Sequence, residues 1–306
     1  MASVSEAGCR PVQPNRLDAG AALMMVVLCA CWGLQQVAVK MAVADGAAPM
    51  AQAALRSIGA TIIVGVVVLA LGRRRGVIPA GTLWPGIGAG LLFALEFALL
   101  YTGLSLTTAS RAVVFLYTAP FVVAIGGHLL IPGERLGRWQ VMGLLAAFGG
   151  IVAAFADGLV EGGGSIAGDL LMVAAAIAWG LTTLLIKGSV LSRTAPLVTR
   201  LYQLGVSAVA LVVLALVMGA DLAIPLTDTV IGAMAFQIVG VASLSYLGWF
   251  VLISRYPASR LSAFSFLTPL FGVGAAAAVL GDALTPAFAI ALVLVAGGIW
   301  MVNRPS

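Results

Sequence analysis

The sequence predicts an all-α polytopic membrane protein of ten transmembrane helices, arranged as two inverted five-helix repeats. Three observations point there. The chain has 306 residues, of which 62% are hydrophobic and only 9% charged. A soluble domain carries about 25% charged residues, so this chain has too few to solvate a globular surface, and lipid is the consistent solvent. Next, Cys31-Trp32-Gly33-Leu34-Gln35-Gln36-Val37-Ala38-Val39-Lys40 is echoed 147 residues later by Ala178-Trp179-Gly180-Leu181-Thr182-Thr183-Leu184-Leu185-Ile186-Lys187. Finally, each copy contains an odd number of apolar runs, which forces the second copy to enter the membrane from the opposite side. A duplication in so apolar a chain marks a transporter built from two repeats.

The runs, read with their breakers, place spans at 18–40, 49–72, 82–105, 109–130, 138–156, 167–190, 196–218, 229–254, 259–280 and 285–302. The first and sixth carry the Trp-Gly signature. Pro49, Pro196 and Pro286 open the second, seventh and tenth, where a missing N–H costs nothing. The match continues through Ala48-Pro49-Met50 and Ala195-Pro196-Leu197, then Ala109-Ser110-Arg111 and Ala258-Ser259-Arg260. It goes on through Pro120 and Pro269, Gly133-Glu134 and Gly281-Asp282, and Gly149-Gly150-Ile151 and Gly297-Gly298-Ile299. The expected organisation is a cytoplasmic tail (1–17), repeat one (18–156), an outer linker (157–166), repeat two (167–302) and a cytoplasmic tail (303–306). Arg10 and Arg16 before an apolar run, with small residues near Ala42 and Ala44, have the look of a cleaved signal peptide. The mid-chain copy at Trp179 argues that the first helix is retained.

Charge sorts by side. With the N-terminus inside, Arg10, Arg16, Arg73, Arg74, Arg75, Arg135, Arg138, Lys187, Arg193, Arg255, Arg260 and Arg304 are cytoplasmic, and only Lys40 and Arg111 lie outside. Asp45, Asp157, Glu161, Asp169, Asp221, Asp228 and Asp282 also fall outside. The positive-inside rule therefore places both termini in the cytoplasm. The net charge of +5 reflects that sorting rather than a nucleic-acid surface. Cys9, Cys29 and Cys31 have neither metal nor disulfide spacing, and in an apolar helix cysteine is usually a small hydrophobe.

Glu96 is the one carboxylate deep in a span. A charge there costs roughly 2.5–3.5 kcal/mol on insertion scales, so it is expected to face a cavity, binding a solute ammonium or carrying a coupled proton. The structural alternative is a protonated Glu hydrogen-bonded to a neighbouring helix. Its repeat position is the neutral Ser245. Trp32 over Gln36 and Trp179 over Thr183, each pair one turn apart, offer a ring plus a hydrogen-bonding group. The alternative is helix packing, with the polar groups bonding between helices. Pro120 and Pro269 lie inside spans four and nine, each preceded by an aromatic residue, Tyr117 or Phe266, and suit a gate or kink. Tyr101, Tyr246, Trp249 and Phe250 form a second aromatic set, of which Tyr246 is placed in the cavity. Arg56 and Arg200 suit a carboxylate, though an arginine near a helix end more often snorkels to headgroups. His128, the only histidine, reads as interfacial. Gly86 with Gly90, and the Gly149-Gly150 and Gly297-Gly298 pairs, are packing devices, and spans five and ten are assigned a scaffold role.

Two five-helix units, each opened by Trp-Gly and carrying a mid-helix proline, resemble the EamA type of the drug/metabolite transporter superfamily over nearly the whole chain after residue 18. Within that type the chain is most similar to the YddG group of aromatic amino acid exporters. The resemblance implies a bacterial inner-membrane carrier that exports amino acids or related metabolites by alternating access. The expected binding residues are Trp32, Gln36, Glu96, Tyr117, Trp179, Thr183 and Tyr246, with Pro120 and Pro269 as gating or kink positions. Expected partners are a small-molecule solute, the bilayer and a coupled proton; no cofactor, metal or nucleic acid is expected, and the oligomeric state is a monomer or weak dimer. A carrier of phosphorylated sugars or nucleotide-sugars on the same fold needs basic residues in the cavity to meet phosphate. Mid-span regions contain no Lys. An intramembrane enzyme needs a nucleophile, base or metal cluster at membrane depth, which one His, scattered Cys and one buried Glu do not supply.

Overall fold

The computed structural model describes residues 17–75, 80–160, 164–219, 221–280 and 284–304. Cys9, Arg10, Arg16, Glu161, Gly163, Gly281 and Asp282, and the side chains of Arg73–Arg75, lie outside the described residues. Among those described there is no β-strand. The helices are α1 (Ala19–Ala44), α2 (Pro49–Arg75), α3 (Leu83–Leu104), α4 (Ala109–Leu116 and Ala119–Leu130) and α5 (Arg138–Ala154). The second half repeats them as α6 (Ile166–Gly188), α7 (Pro196–Val217), α8 (Asp228–Arg255), α9 (Ala258–Phe264 and Leu267–Leu280) and α10 (Pro286–Asn303). Nine of these are long and apolar enough to cross a membrane, while α5, at 17 residues, is shorter. It sits at the lower end of the spanning range of about 17–25 residues. The segment between the halves contains a one-turn helix, Ala156–Val160.

The ends are set locally. The side chains of Asp18, Thr108, Ser165 and Thr227 each accept a bond from the backbone N–H three residues on, satisfying donors that the helix leaves orphaned. Pro49, Pro196 and Pro286 are the first residues of α2, α7 and α10. Leu69, Trp84, Ile166, Val217 and Val293 stand exposed around the outside, as lipid-facing side chains do.

Pro120 and Pro269 do more than kink their helices. α4 is interrupted at Tyr117-Thr118 and α9 at Ser265-Phe266, and each proline falls in the first turn of the segment that follows. A proline has no N–H and clashes with the carbonyl four residues back, so the helix restarts at it. α8 is irregular differently: Phe236–Ser245 is a ten-residue π-helical stretch. The Ser243 hydroxyl donates to the Ile238 carbonyl five residues back at 2.7 Å, the spacing of a π turn.

The main contacts between the halves are unchanged when the halves are exchanged. α1 packs on α9 as α6 packs on α4; α3 on α6 as α8 on α1; α2 on α8 as α7 on α3. The pairs α2–α7, α4–α9 and α5–α10 map onto themselves. Each half's first helix thus lies against the other half's broken helix. Small residues allow it. A Cβ on Gly33 would come within 2.7 Å of the Gly272 nitrogen, and one on Gly180 within 2.5 Å of Val122. The glycine of each Trp-Gly pair is therefore the crossing point with α9 or α4. Gly86 and Gly90 let α3 meet Tyr202 and Val206 of α7. Of the two Gly-Gly pairs, Gly150 and Gly298 make the α5–α10 contact, with Gly143 as an added partner, whereas Gly149 and Gly297 face nothing within 4 Å.

Candidate functional site

Where α1, α4, α6, α8 and α9 converge, a cavity of about 50 Å³ is lined by Trp32, Pro120, Val123, Trp179, Thr183, Tyr246, Trp249, Ser262 and Ser265. Both halves contribute, and the two repeat-related tryptophans face it together. Its volume admits a few water molecules, far below the roughly 300 Å³ of a small-molecule pocket. The halves are closed around it. A larger void of about 370 Å³ lies between α1, α9 and α10, but its wall, including Leu34, Phe271, Phe288 and Leu292, is wholly apolar. Leu34 and Leu292 are exposed on the outer surface, which makes this void a lipid-side crevice.

Aromatic contacts tie the wall together. Trp32 lies 5.6 Å from Tyr246 and 6.0 Å edge-on to Trp249. Tyr117 meets Trp179 edge-on at 5.8 Å and Phe266 at 6.4 Å, so it backs the wall from the break in α4. Such pairs contribute about 0.5–1.5 kcal/mol each beyond burial. The Trp32 indole N–H donates to Ser245 at 2.8 Å. Thr182 back-bonds to the Ala178 carbonyl at 2.9 Å, whereas Thr183, its neighbour, turns to the cavity.

Five of the expected residues, Trp32, Pro120, Trp179, Thr183 and Tyr246, meet at the cavity, and Tyr117 supports it. Gln36 is exposed, one turn beyond Trp32, and does not join them. Pro269 lies behind the wall, in the segment after the α9 break. Glu96 is half-buried on α3 and is not on the cavity wall; among the described residues it makes no hydrogen bond or ion pair.

Arg56 and Arg200 depart from the snorkelling expectation. They are 5% and 1% exposed. The Arg56 guanidinium lies 4.8 Å from the Phe97 ring centroid, and that of Arg200 3.9 Å from Tyr246 and 5.6 Å from Phe93. Arg200 also donates to the Ala242 carbonyl at 2.8 Å and to Gln203. The π stretch of α8 is what supplies Ala242 to it. A cation over a desolvated ring is stabilised by about 2 kcal/mol. Ser262, Ser265, Phe93 and Phe97 were not singled out from sequence. The serines sit just before a proline break, but their repeat positions, Val113 and Leu116, are apolar, so no repeated pattern announces them.

Further out, one end of α6 is fastened to the first half, and the other to the end of α8 and to Glu134 of the first half. Asp169 accepts from Arg111 Nε at 3.1 Å, from the Arg111 terminal nitrogen, and from Thr107 at 2.8 Å. At the other end Lys187, 5% exposed, donates to the carbonyls of Ile253 and Tyr256 at 2.8 and 2.7 Å and lies 3.9 Å from Glu134. Glu134 in turn accepts from the Ala258 N–H at 2.9 Å, capping α9. His128 is exposed and accepts from the Leu136 N–H. Cys29 is buried and donates to the Phe264 carbonyl, and no cluster of metal-ligating side chains occurs among the described residues.

Known proteins carry the same architecture. The chain is 28% identical to the uncharacterized transporter YvbV of Bacillus subtilis over 93% of its own length and 92% of that protein's. It is 26% identical to a probable amino-acid metabolite efflux pump of Escherichia coli K12, covering 94% and 95% of the two chains. A crystal structure superposes with a TM-score of 0.77 at 21% identity, over 92% of this chain and 98% of that one, which establishes a shared fold. The EamA-like transporter family matches residues 19–156 and again 166–304, one match per half. With nine helices among the described residues long and apolar enough to cross a membrane, and a family match in each half, this multi-pass membrane protein belongs to the EamA-like transporter family.

Proposed function

We propose that this protein is a secondary transporter of the inner membrane that exports amino acids, aromatic ones among them, or related small metabolites. Ten helices span the membrane as two inverted repeats, with both termini in the cytoplasm. The solute binds where Trp32, Trp179, Thr183 and Tyr246 meet, and the halves exchange conformations about that point. Glu96 supplies a negative group for an ammonium or a coupled proton. The breaks before Pro120 and Pro269 are the points at which α4 and α9 bend.

The observation that carries this reading is the exchange-invariant packing, which converges on one cavity with a tryptophan from each half. A duplicated fold lets each half take up the conformation of the other, which gives two image-related states for alternating access, and equivalent contacts between the halves suit that exchange. The relative named as an amino-acid metabolite efflux pump supports the solute class.

The test is flux. Protein reconstituted in liposomes should move amino acids from a panel, with and without a pH gradient. Movement of sugar phosphates and of no amino acid would defeat the reading. Cysteine labelling in intact cells tests topology: a cysteine at position 163 should label from outside and one at position 74 should not.

A further inference from the structure

Two arginines are buried on the packed helices α2 and α7, and the protein supplies hydrogen-bond acceptors to only one of them. Arg56 has no hydrogen bond and no ion pair among the described residues, although it is 5% exposed. Its five N–H donors therefore lack acceptors. None of its nitrogens is among the sealed, unpartnered atoms of the protein, so they border accessible space. Arg200 has two acceptors, the Ala242 carbonyl and Gln203. The two guanidinium groups flank a single aromatic pair: Arg56 lies over Phe97, Arg200 lies near Phe93, and the two rings are 4.9 Å apart. The Tyr246 ring, which lines the solute cavity, lies 3.9 Å from Arg200 and joins this cluster to the cavity.

A buried guanidinium without an acceptor is costly, and a second one beside it adds to the cost. An anion between them removes both penalties. Glu96 is the nearby carboxylate, and it forms no ion pair with either. Two guanidinium groups suit a carboxylate, borne by a monoanion or by a zwitterion whose ammonium turns to Glu96.

We propose that Arg56 and Arg200 form a carboxylate-binding subsite, so that the solutes of this transporter carry a carboxylate. The proposal rests on the transport reading above and narrows it. Arg56 supplies a planar fork for two parallel bonds to the carboxylate oxygens. Arg200, held by Ala242 and Gln203, presents its remaining donors from the other side. The aromatic rings of the cavity then receive the rest of the solute. Specificity follows, because a solute without the carboxylate leaves buried donors unpaired.

The test is binding to purified protein in lipid nanodiscs, measured by calorimetry. The probes are L-phenylalanine, N-acetyl-L-phenylalanine, L-phenylalaninamide and phenyl phosphate. The two carboxylates should bind, and the amide should bind about tenfold more weakly or worse. Arg56→Gln should abolish that preference while its unfolding temperature without ligand stays at or above that of the parent, since a neutral group there relieves a buried charge. Arg56→Lys, which keeps the charge and loses the fork, should fall between. Equal binding of L-phenylalaninamide, unaltered affinity in Arg56→Gln, or binding of neither carboxylate overturns the subsite; preferred binding of phenyl phosphate replaces it with a phosphate site. Flux in liposomes separates the two readings. Transport without carboxylate preference overturns the subsite alone, whereas carboxylate-selective binding without flux overturns transport alone.

Discussion

The indole N–H of Trp32 donates to the Ser245 hydroxyl at 2.8 Å, and Ser245 passes the bond to the Val241 carbonyl at 2.7 Å. The bond joins α1 of one half to α8 of the other. Ser245 holds the repeat position of Glu96, and Trp32 that of Trp179, so the same pair of positions is neutral on one side and acidic on the other. Trp32 is thereby committed to a structural bond, whereas Trp179 makes no hydrogen bond among the described residues. Trp179→Ala should weaken apparent affinity for aromatic solutes several-fold, in line with about 0.5–1.5 kcal/mol of ring stacking, without loss of expression. An unchanged constant in flux measurements would make Trp179 a packing residue.

Glu96→Gln separates charge from shape. The amide is close in size and neutral, so the fold should persist. Transport should fall strongly or lose its pH dependence, because Gln neither pairs with an ammonium nor releases a proton. Flux at several pH values decides it, and a parental rate and pH profile in the variant would remove Glu96 from the site.

Lys187 and Glu134 are both buried, and each holds backbone groups at the α8–α9 corner. Losing one partner strands the other charge, so Lys187→Met should destabilise by about 3–5 kcal/mol. Lys187→Met combined with Glu134→Gln should cost clearly less than the two single changes together. Chemical unfolding of the four proteins gives the coupling, and simple additivity would show that the pair does not interact.

Tyr256 donates its phenolic O–H to Asp18, the cap of α1. That bond, helped by the Ala21 N–H, holds the Asp18 carboxyl below its usual range, and the same bond holds the Tyr256 phenol above its own. A lowered acid contributes stability above its unfolded pKa and loses it as pH falls through the folded value. A raised phenol contributes below its unfolded pKa and loses it as pH rises through the folded value. The tie is therefore complete between roughly pH 4 and pH 10. Tyr256→Phe should flatten the acid limb of the unfolding-temperature profile; an unaltered acid limb would show that the bond does not contribute.

α5 and α10 touch backbone to backbone. A Cβ on Gly298 would meet the Gly143 carbonyl and come within 2.7 Å of the Ala147 nitrogen. Neither atom is a flexible side-chain end, so Gly298→Ala should cost about 1–3 kcal/mol. Gly297→Ala, one residue away with nothing within 4 Å, should be neutral or slightly stabilising. Equal unfolding temperatures for the two variants would show that the contact relaxes freely.

Sequence alone determined the membrane class, the duplication and nearly all helix positions, because hydropathy and proline placement act locally. Of the residues it brought forward, Trp32, Trp179 and Thr183 line the cavity because a duplicated signature marks positions that face one another when two copies pack; Pro120 came from the paired prolines and Tyr246 from its depth in the span. It did not reveal that α4 and α9 are broken outright, since a proline sets only where a helix restarts, and the neighbouring helix decides whether the turn before it opens. Nor did it place Gln36, which shares a face with Trp32 but lies a turn beyond the convergence of helices. Arg56 and Arg200 were the hardest. A guanidinium on a long stem reaches either headgroups or cavity from the same backbone position, and its one-dimensional surroundings are apolar in both cases. Only the tertiary structure brought Phe93, Phe97 and Tyr246 under those charges. It did so through the glycines of α3 and the π stretch of α8, whose effects depend on what packs against them.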